Sequence, residues 1–178
     1  MAKTTTFFIA GLLAYTGAMI VLAQPTAAPI SKSKESRIVS FALAGLLVFM
    51  VVAQLFTFED FPDVIAGMWL PGGEALATVL AALIVSAEVF ALPFLLGIRL
   101  SVAMRVVSMV LGWLVIAAWI AVSLWQNITA NFISNTGILG DTVPLPVGWW
   151  SVFVFVAIGV LMAWASWGMW PITGKASK

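Results

Sequence analysis

Glu88 is the one ionisable side chain that lies well inside a long apolar stretch of this sequence. Because a charge is costly in an apolar environment, we expect its carboxyl to face a protein interior and to be protonated at neutral pH. A neutral carboxyl can donate a hydrogen bond to a quinone carbonyl, a lipid headgroup or a partner subunit, or pass a proton. The alternative is structural: Glu88 bonds a backbone carbonyl or a serine and holds two helices together.

Three further residues are candidates for a ligand site that includes Glu88, and we assign no catalytic residue. Counting from the predicted outer helix ends places Trp113 and Trp164 in the layer of Glu88, and a carboxyl with two indoles suits a flat aromatic ligand. The two indoles can equally pack against lipid or fill the core, so both interpretations stay open. Arg99 follows the helix of Glu88, where it can anchor the helix end or bind an anionic lipid or an acidic loop of a partner.

The residue types that are missing narrow the chemistry. The chain contains neither cysteine nor histidine, which excludes thiolate metal sites, imidazole-ligated haem and histidine acid–base catalysis. We therefore expect no cofactor bound covalently or by metal ligation, and a quinone or a lipid remains possible. A net charge of +1 provides no electrostatic footprint for nucleic acid.

The surrounding sequence is that of a membrane protein. Of its 178 residues 63% are hydrophobic and 8% are charged, whereas soluble domains are about 25% charged. Since about 20 apolar residues span a bilayer as a helix, five runs predict transmembrane helices. They cover residues 7–23, 38–58, 75–97, 106–125 and 149–170. The predicted fold is an all-α membrane protein, with a bundle of four transmembrane helices plus one extra N-terminal transmembrane helix.

The first run resembles a secretory signal, but the distribution of charge favours a retained helix. With the linker 24–37 and the tail 171–178 in the cytoplasm, seven of the eight basic residues lie inside, as the positive-inside rule requires. Removal of residues 1–23 would invert that bias. The expected topology places the N-terminus outside and the C-terminus inside, and we expect the membrane to be a prokaryotic cytoplasmic membrane.

The segment 38–170 resembles the DoxX/DoxD/MauE-like group of small four-helix membrane proteins. Three features carry the likeness: the acidic–aromatic stretch 58–63, the Pro-Gly-Gly-Glu sequence at 71–74, and Glu88 followed by Leu-Leu-Gly-Ile-Arg at 95–99. Members of this group are associated with quinol oxidases, thiosulfate:quinone oxidoreduction and maturation of a periplasmic dehydrogenase. The resemblance implies that Glu88 and Arg99 are the family-like polar positions. The extra N-terminal helix departs from the four-helix pattern.

These observations favour an accessory subunit of a larger redox or respiratory membrane complex, packed against the bilayer and other membrane subunits, and itself non-catalytic. The alternative is a quinone- or lipid-binding membrane oxidoreductase component that uses Glu88 in the bilayer interior. A third hypothesis, a small transporter, is weakened because the sequence has a single buried charge and no pair of broken helices.

Overall fold

The computed structural model of the chain describes residues 33–68, 73–129 and 135–169. The predicted N-terminal helix over 7–23 lies outside these ranges, as do the tail 171–178 and most of the linker 24–37. The helices of the described ranges are α1 (Lys34–Phe56), α2 (Phe61–Ala66), α3 (Gly73–Leu95), α4 (Val102–Thr129) and α5 (Trp149–Gly168).

Four of these helices, α1, α3, α4 and α5, are long and apolar enough to cross a membrane. Their lengths of 20 to 28 residues correspond to about 30–42 Å at the α-helical rise. Large apolar side chains cover their outer faces, and Phe56, Phe153 and Trp167 are 80%, 70% and 74% exposed. A surface of this kind suits lipid rather than water. The predicted all-α architecture is confirmed in the described ranges, and four of the five predicted helices are long and apolar enough to span a membrane.

The four long helices form a ring in which each helix packs against two others. Both α1 and α4 contact α3 and α5, and the short α2 packs against α3. Neighbours in the ring are antiparallel, since the chain reverses direction at each connection. We call the end at which α1 and α4 finish and α3 and α5 begin the loop end, and the end that holds residues 96–101 the turn end.

Most boundaries of the long helices differ from the predicted ones by two to four residues, and α4, predicted over 106–125, extends from Val102 to Thr129. Helix α1 begins at Lys34 rather than at residue 38, because the Ser33 side chain caps it: the Ser36 N–H donates to Ser33 Oγ at 3.1 Å. Helix α2 lies in the connection between the predicted helices 38–58 and 75–97, where the sequence predicts no helix. Its residues Phe61 and Ile65 are 0% and 1% exposed. Because they are four residues apart, they lie on one face of α2, and this apolar face packs against the bundle.

Pro93 stands inside α3, where its ring would leave backbone groups of that helix without partners. The hydroxyl of Ser108 on α4 bonds two backbone groups of this irregular turn. It donates to the Phe90 carbonyl oxygen at 2.6 Å and accepts from the Phe94 N–H at 2.9 Å. The irregular turn of α3 is thus bonded to its neighbouring helix instead of facing lipid.

Residues 135–142, which we call the cap segment, fold back over the loop end of the bundle. Thr136 and Ile138 are 1% and 8% exposed, although the segment has no regular structure. Gly137 and Gly140 have φ angles of +73° and +61°, a region that favours glycine. A Cβ at Gly137 would collide with Met68, and one at Gly140 would lie 3.1 Å from the Cα of Gln54. Glycine therefore permits the close approach of the cap segment to α1 and to the chain beyond α2.

Two helical glycines offer a test of the packing between α1 and α5. Gly168 faces Ser36, whose side chain a new Cβ would overlap, whereas Gly45 has no heavy atom within 4 Å of that position. We expect Gly168→Ala to destabilise the protein by about 1–3 kcal/mol through overpacking. The measurement is thermal unfolding in mild detergent, where this loss corresponds to a midpoint about 2–10 °C lower.

Gly45→Ala is the matched control, and it should leave the midpoint unchanged or raise it, since alanine is the better helix former. Equal midpoints for Gly168→Ala and the wild type would contradict the α1–α5 contact.

Candidate functional site

The side chain of Glu88 lies at the centre of a buried polar cluster that joins three helices. Glu88 on α3, Gln54 on α1 and Trp119 on α4 are each 0% exposed. The indole N–H of Trp119 donates to Glu88 Oε1 at 3.0 Å, and the Gln54 side-chain amide donates to the same oxygen at 3.4 Å. We call these three side chains the Glu88 centre.

The direction of the helices explains why these side chains meet. Side chains in an α-helix lean toward its N-terminus. Helix α3 runs away from the loop end, so Glu88 leans toward that end. Helices α1 and α4 run toward the loop end, so Gln54 and Trp119 lean back from it. The carboxyl and its two donors therefore converge from different heights along the bundle.

The fourth long helix contributes an aromatic contact. The rings of Trp119 and Phe155, the latter on α5, are stacked with their centroids 5.8 Å apart and their planes at 10°. Phe155 is 3% exposed, so this pair is part of the core. The stack fixes the plane of the indole, and with it the direction of the N–H group that reaches Glu88.

The cap segment covers the Glu88 centre from the loop end. Gln54 donates to the backbone oxygen of Ile138 at 3.0 Å through the amide nitrogen that also reaches Glu88. Nearby, Thr142 Oγ1 donates to the Ala53 carbonyl at 2.6 Å, and the Asp141 N–H donates to Thr57 Oγ1 at 3.0 Å. The last turn of α1 is thereby bonded to the cap segment at several points.

Two acceptor atoms of the Glu88 centre have no hydrogen-bond partner among the described residues. They are Glu88 Oε2 and Gln54 Oε1, and both are fully buried. Both donors that reach Glu88 are neutral groups, and both bind the other carboxyl oxygen, Oε1. The arrangement can therefore hold a carboxyl in a fixed orientation while Oε2 stays able to bind a further group.

The structure does not bring the other predicted ligand residues to Glu88. Trp113 and Trp164 are 38% and 51% exposed on the outside of the bundle. The Trp113 indole N–H donates to Ser166 Oγ at 3.1 Å, near the end of α5, which places this indole toward the turn end. Arg99 is exposed in the connection between α3 and α4. Of the four predicted residues, Glu88 alone belongs to the centre.

Gln54 and Trp119 are functional candidates that the sequence did not predict, although one of them carries a signal. Gln54 is an amide inside the apolar run 38–58, and a polar side chain at such a position is expected to have a partner in the protein. Trp119 carried no comparable signal. Counting Cα heights selected Trp113, because the count took no account of the opposite leans of side chains on antiparallel helices.

The acidic residues near the loop end form a separate, solvated group. Glu59, Asp60, Asp63 and Glu74 are all exposed. Within the ranges that the structure describes, no group of three or more His, Cys, Asp or Glu residues could hold a metal ion. These carboxylates thus contribute negative charge to the loop end.

Comparisons of the chain with protein-family models, with curated proteins and with solved structures find no match. The likeness to the DoxX/DoxD/MauE-like group therefore stays a prediction that rests on the motifs of the sequence. In the fold, the motif 58–63 overlaps the start of α2, and Glu88 forms the centre itself.

The bond between Gln54 and Ile138 can be tested by backbone hydrogen exchange. We expect Gln54→Leu to weaken the cap segment by about 1 kcal/mol, the net value of one hydrogen bond. The backbone amides of residues 137–141 should then exchange about fivefold faster than in the wild type.

Asn127→Leu is the control, since Asn127 is also an amide at the loop end but donates to the Gly148 carbonyl, beyond the cap segment. It should leave the exchange of residues 137–141 unchanged. If Gln54→Leu has no more effect than this control, Gln54 does not hold the cap segment.

Proposed function

We propose that this protein is an integral membrane component of a redox complex and that its Glu88 centre binds the polar head of a quinone. The observation that carries the proposal is the buried carboxyl of Glu88, which has two donors on Oε1 and no described partner for Oε2. A polar group buried in this way needs a partner, and a quinone reaches such a group from within the membrane.

The chemistry of the centre suits both forms of a quinone. Because an anion is costly in the bilayer interior and the donors around Glu88 are neutral, the protonated carboxyl is the expected form. Its proton on Oε2 can be donated to a quinone carbonyl. Gln54 Oε1, which also lacks a described partner, can accept from a quinol hydroxyl.

The carbonyl of Ile138 suggests how such a ligand would enter. Gln54 donates to this backbone oxygen, which is an acceptor of the same chemical kind as a quinone carbonyl. A ligand carbonyl could take its place if the cap segment moved away from α1. The Trp119–Phe155 stack beside the carboxyl offers flat aromatic neighbours to the ring of the ligand.

The proposal requires a partner for electron transfer. A chain without cysteine and histidine cannot bind iron–sulfur clusters or haem through the side chains that usually ligate them. Electrons for a quinone would therefore come from another subunit. This supports the role of accessory subunit in a redox or respiratory complex, in line with the DoxX-like motifs.

A second candidate function is that of an accessory subunit without a ligand of its own. The observation that favours it is that Glu88 Oε1 joins α1, α3 and α4 through Gln54 and Trp119. In that case the centre is a structural bond of the bundle, and the protein acts through its outer helix faces.

Quinone content distinguishes the two candidates. We expect the tagged protein, purified in mild detergent, to carry a quinone that solvent extraction and mass spectrometry detect. Glu88→Leu and Gln54→Leu should each lower the bound quinone about tenfold, which corresponds to the loss of one strong hydrogen bond.

Trp113→Phe and Glu74→Gln are the controls, because both residues lie away from the centre, and they should retain the wild-type amount. Gel filtration of each variant confirms that it is folded. Quinone that is absent from the wild type, or unchanged in Glu88→Leu, would contradict the proposed site. Partner subunits that co-purify without quinone would support the second candidate.

A further inference from the structure

Four buried polar atoms without a partner in the described part of the chain lie along one connected network at the loop end. They are Glu88 Oε2, Gln54 Oε1, Gln126 Oε1 and Thr136 Oγ1. Their side chains come from α3, α1, α4 and the cap segment, and each of the four residues is at most 1% exposed. Elements distant in sequence thus bring together side chains with unused hydrogen-bonding capacity.

The cap segment connects the two ends of this network. The Gln54 side chain donates to the Ile138 carbonyl at 3.0 Å, and the Gln126 side chain donates to the Thr136 carbonyl at 3.4 Å. Since Thr136 and Ile138 are two residues apart, the two amides flank the same short stretch of backbone. Gln54 in turn contacts Glu88, so the network extends from the carboxyl to the cap segment.

Leaving these atoms without partners would be expensive. A buried polar group that makes no hydrogen bond costs about 1–3 kcal/mol, and four of them would weaken a domain of ordinary stability considerably. Buried water molecules usually bind at such places, where each makes about three hydrogen bonds to protein groups. A threonine hydroxyl can both accept and donate, so it can take part in such a chain of hydrogen bonds.

Toward the turn end from Glu88, the core contains apolar contacts as well as buried polar side chains, among them Ser40, Arg105 and Ser108. One turn farther toward the turn end, Ala91 is 0% exposed, and it faces Gly112 of α4 beside the side chain of Met162. In the opposite direction the network reaches the cap segment, whose Asp141 and Thr142 are exposed at the surface. Polar atoms without a described partner thus connect Glu88 with the cap segment at the loop end.

We propose that water molecules bound between Thr136, Gln126, Gln54 and Glu88 form a proton path from the loop end to the Glu88 carboxyl. This proposal rests on the proposed function, because the path would supply protons to a quinone that binds at the Glu88 centre. Reduction of a quinone to a quinol takes up electrons, here from the redox partner, together with protons. Each proton that leaves Glu88 Oε2 for an oxygen of the quinone under reduction would be replaced through this path. The path itself needs no quinone, so it can be tested without one.

The test follows the entry of deuterium at the centre. The wild-type protein, reconstituted in lipid nanodiscs, is transferred from H2O to D2O. Two reporters are read: the indole N–H of Trp119 by NMR, assigned through Trp119→Phe, and the infrared band of the Glu88 carboxyl, assigned through Glu88→Gln. Thr136→Val and the double variant Gln126→Leu/Thr136→Val remove hydrogen-bonding groups from the path. We expect both variants to slow exchange at Trp119 about tenfold or more.

The direction of the change separates the path from local unfolding. Gln126→Leu removes the bond to the Thr136 carbonyl and would loosen the cap segment, so exchange through opening of the cap would become faster, not slower. Thr136→Ser keeps the hydroxyl and should retain the wild-type rate. The position of the Trp119 resonance shows that each variant keeps its fold.

Ser40→Ala is the control at the turn end, because Ser40 is buried on α1 and bonds the Ser36 carbonyl. It should leave the exchange rate unchanged. Unchanged or faster exchange in the Thr136 and Gln126 variants would overturn the path, as would equal slowing by Ser40→Ala. A protein that carries no quinone but shows the expected slowing would retain the path and lose the proposed function.

Discussion

A bilayer provides no water to bond the polar groups of a spanning helix, so each such group must find its partner inside the protein. This constraint accounts for the main contacts between the helices. The hydroxyl of Ser108 completes the backbone around Pro93 and so bonds α4 to α3. The carboxyl of Glu88 accepts hydrogen bonds from side chains on α1 and α4, and these bonds join three helices. Apolar packing fills the remaining core. Apolar contacts alone would tolerate several rotations of each helix about its axis, whereas these hydrogen bonds form at only one of them.

The cap segment extends the same constraint to a connection between helices. The side-chain amide of Gln54 donates to the Ile138 carbonyl of the cap segment instead of to a group of α1. Gly137 and Gly140 make this approach possible, since each has a positive φ and a side chain at either would meet neighbouring atoms. A stretch without regular structure thereby becomes part of the core. Any ligand or proton that reaches Glu88 from the loop end must pass this segment, which links the fold to both proposals.

The two ends of the bundle differ in chemical character. The loop-end half holds the Glu88 centre, the cap segment and Gln126, and its surface carries acidic side chains. Beyond Glu88 the interior contains Ala91 and Met162 together with buried polar side chains such as Ser108 and Arg105. Outside, the indoles of Trp113 and Trp164 face away from the centre toward the surroundings of the bundle. The cap segment covers the Glu88 centre from the loop end, and the proposed proton path rests on that placement.

The sequence alone determined the class of the protein, the number and approximate position of the four long helices, and the burial of Glu88. These properties follow from the hydropathy of consecutive residues, because the cost of placing a segment in lipid is nearly a sum over its side chains. The likeness to the DoxX-like group and the extra N-terminal helix stay predictions. Only the tertiary structure decided that Glu88 meets Gln54 and Trp119 instead of Trp113 and Trp164, and that residues 135–142 cover this centre. Those contacts depend on how helices rotate and lean against one another, and hydropathy along one chain carries no information about that.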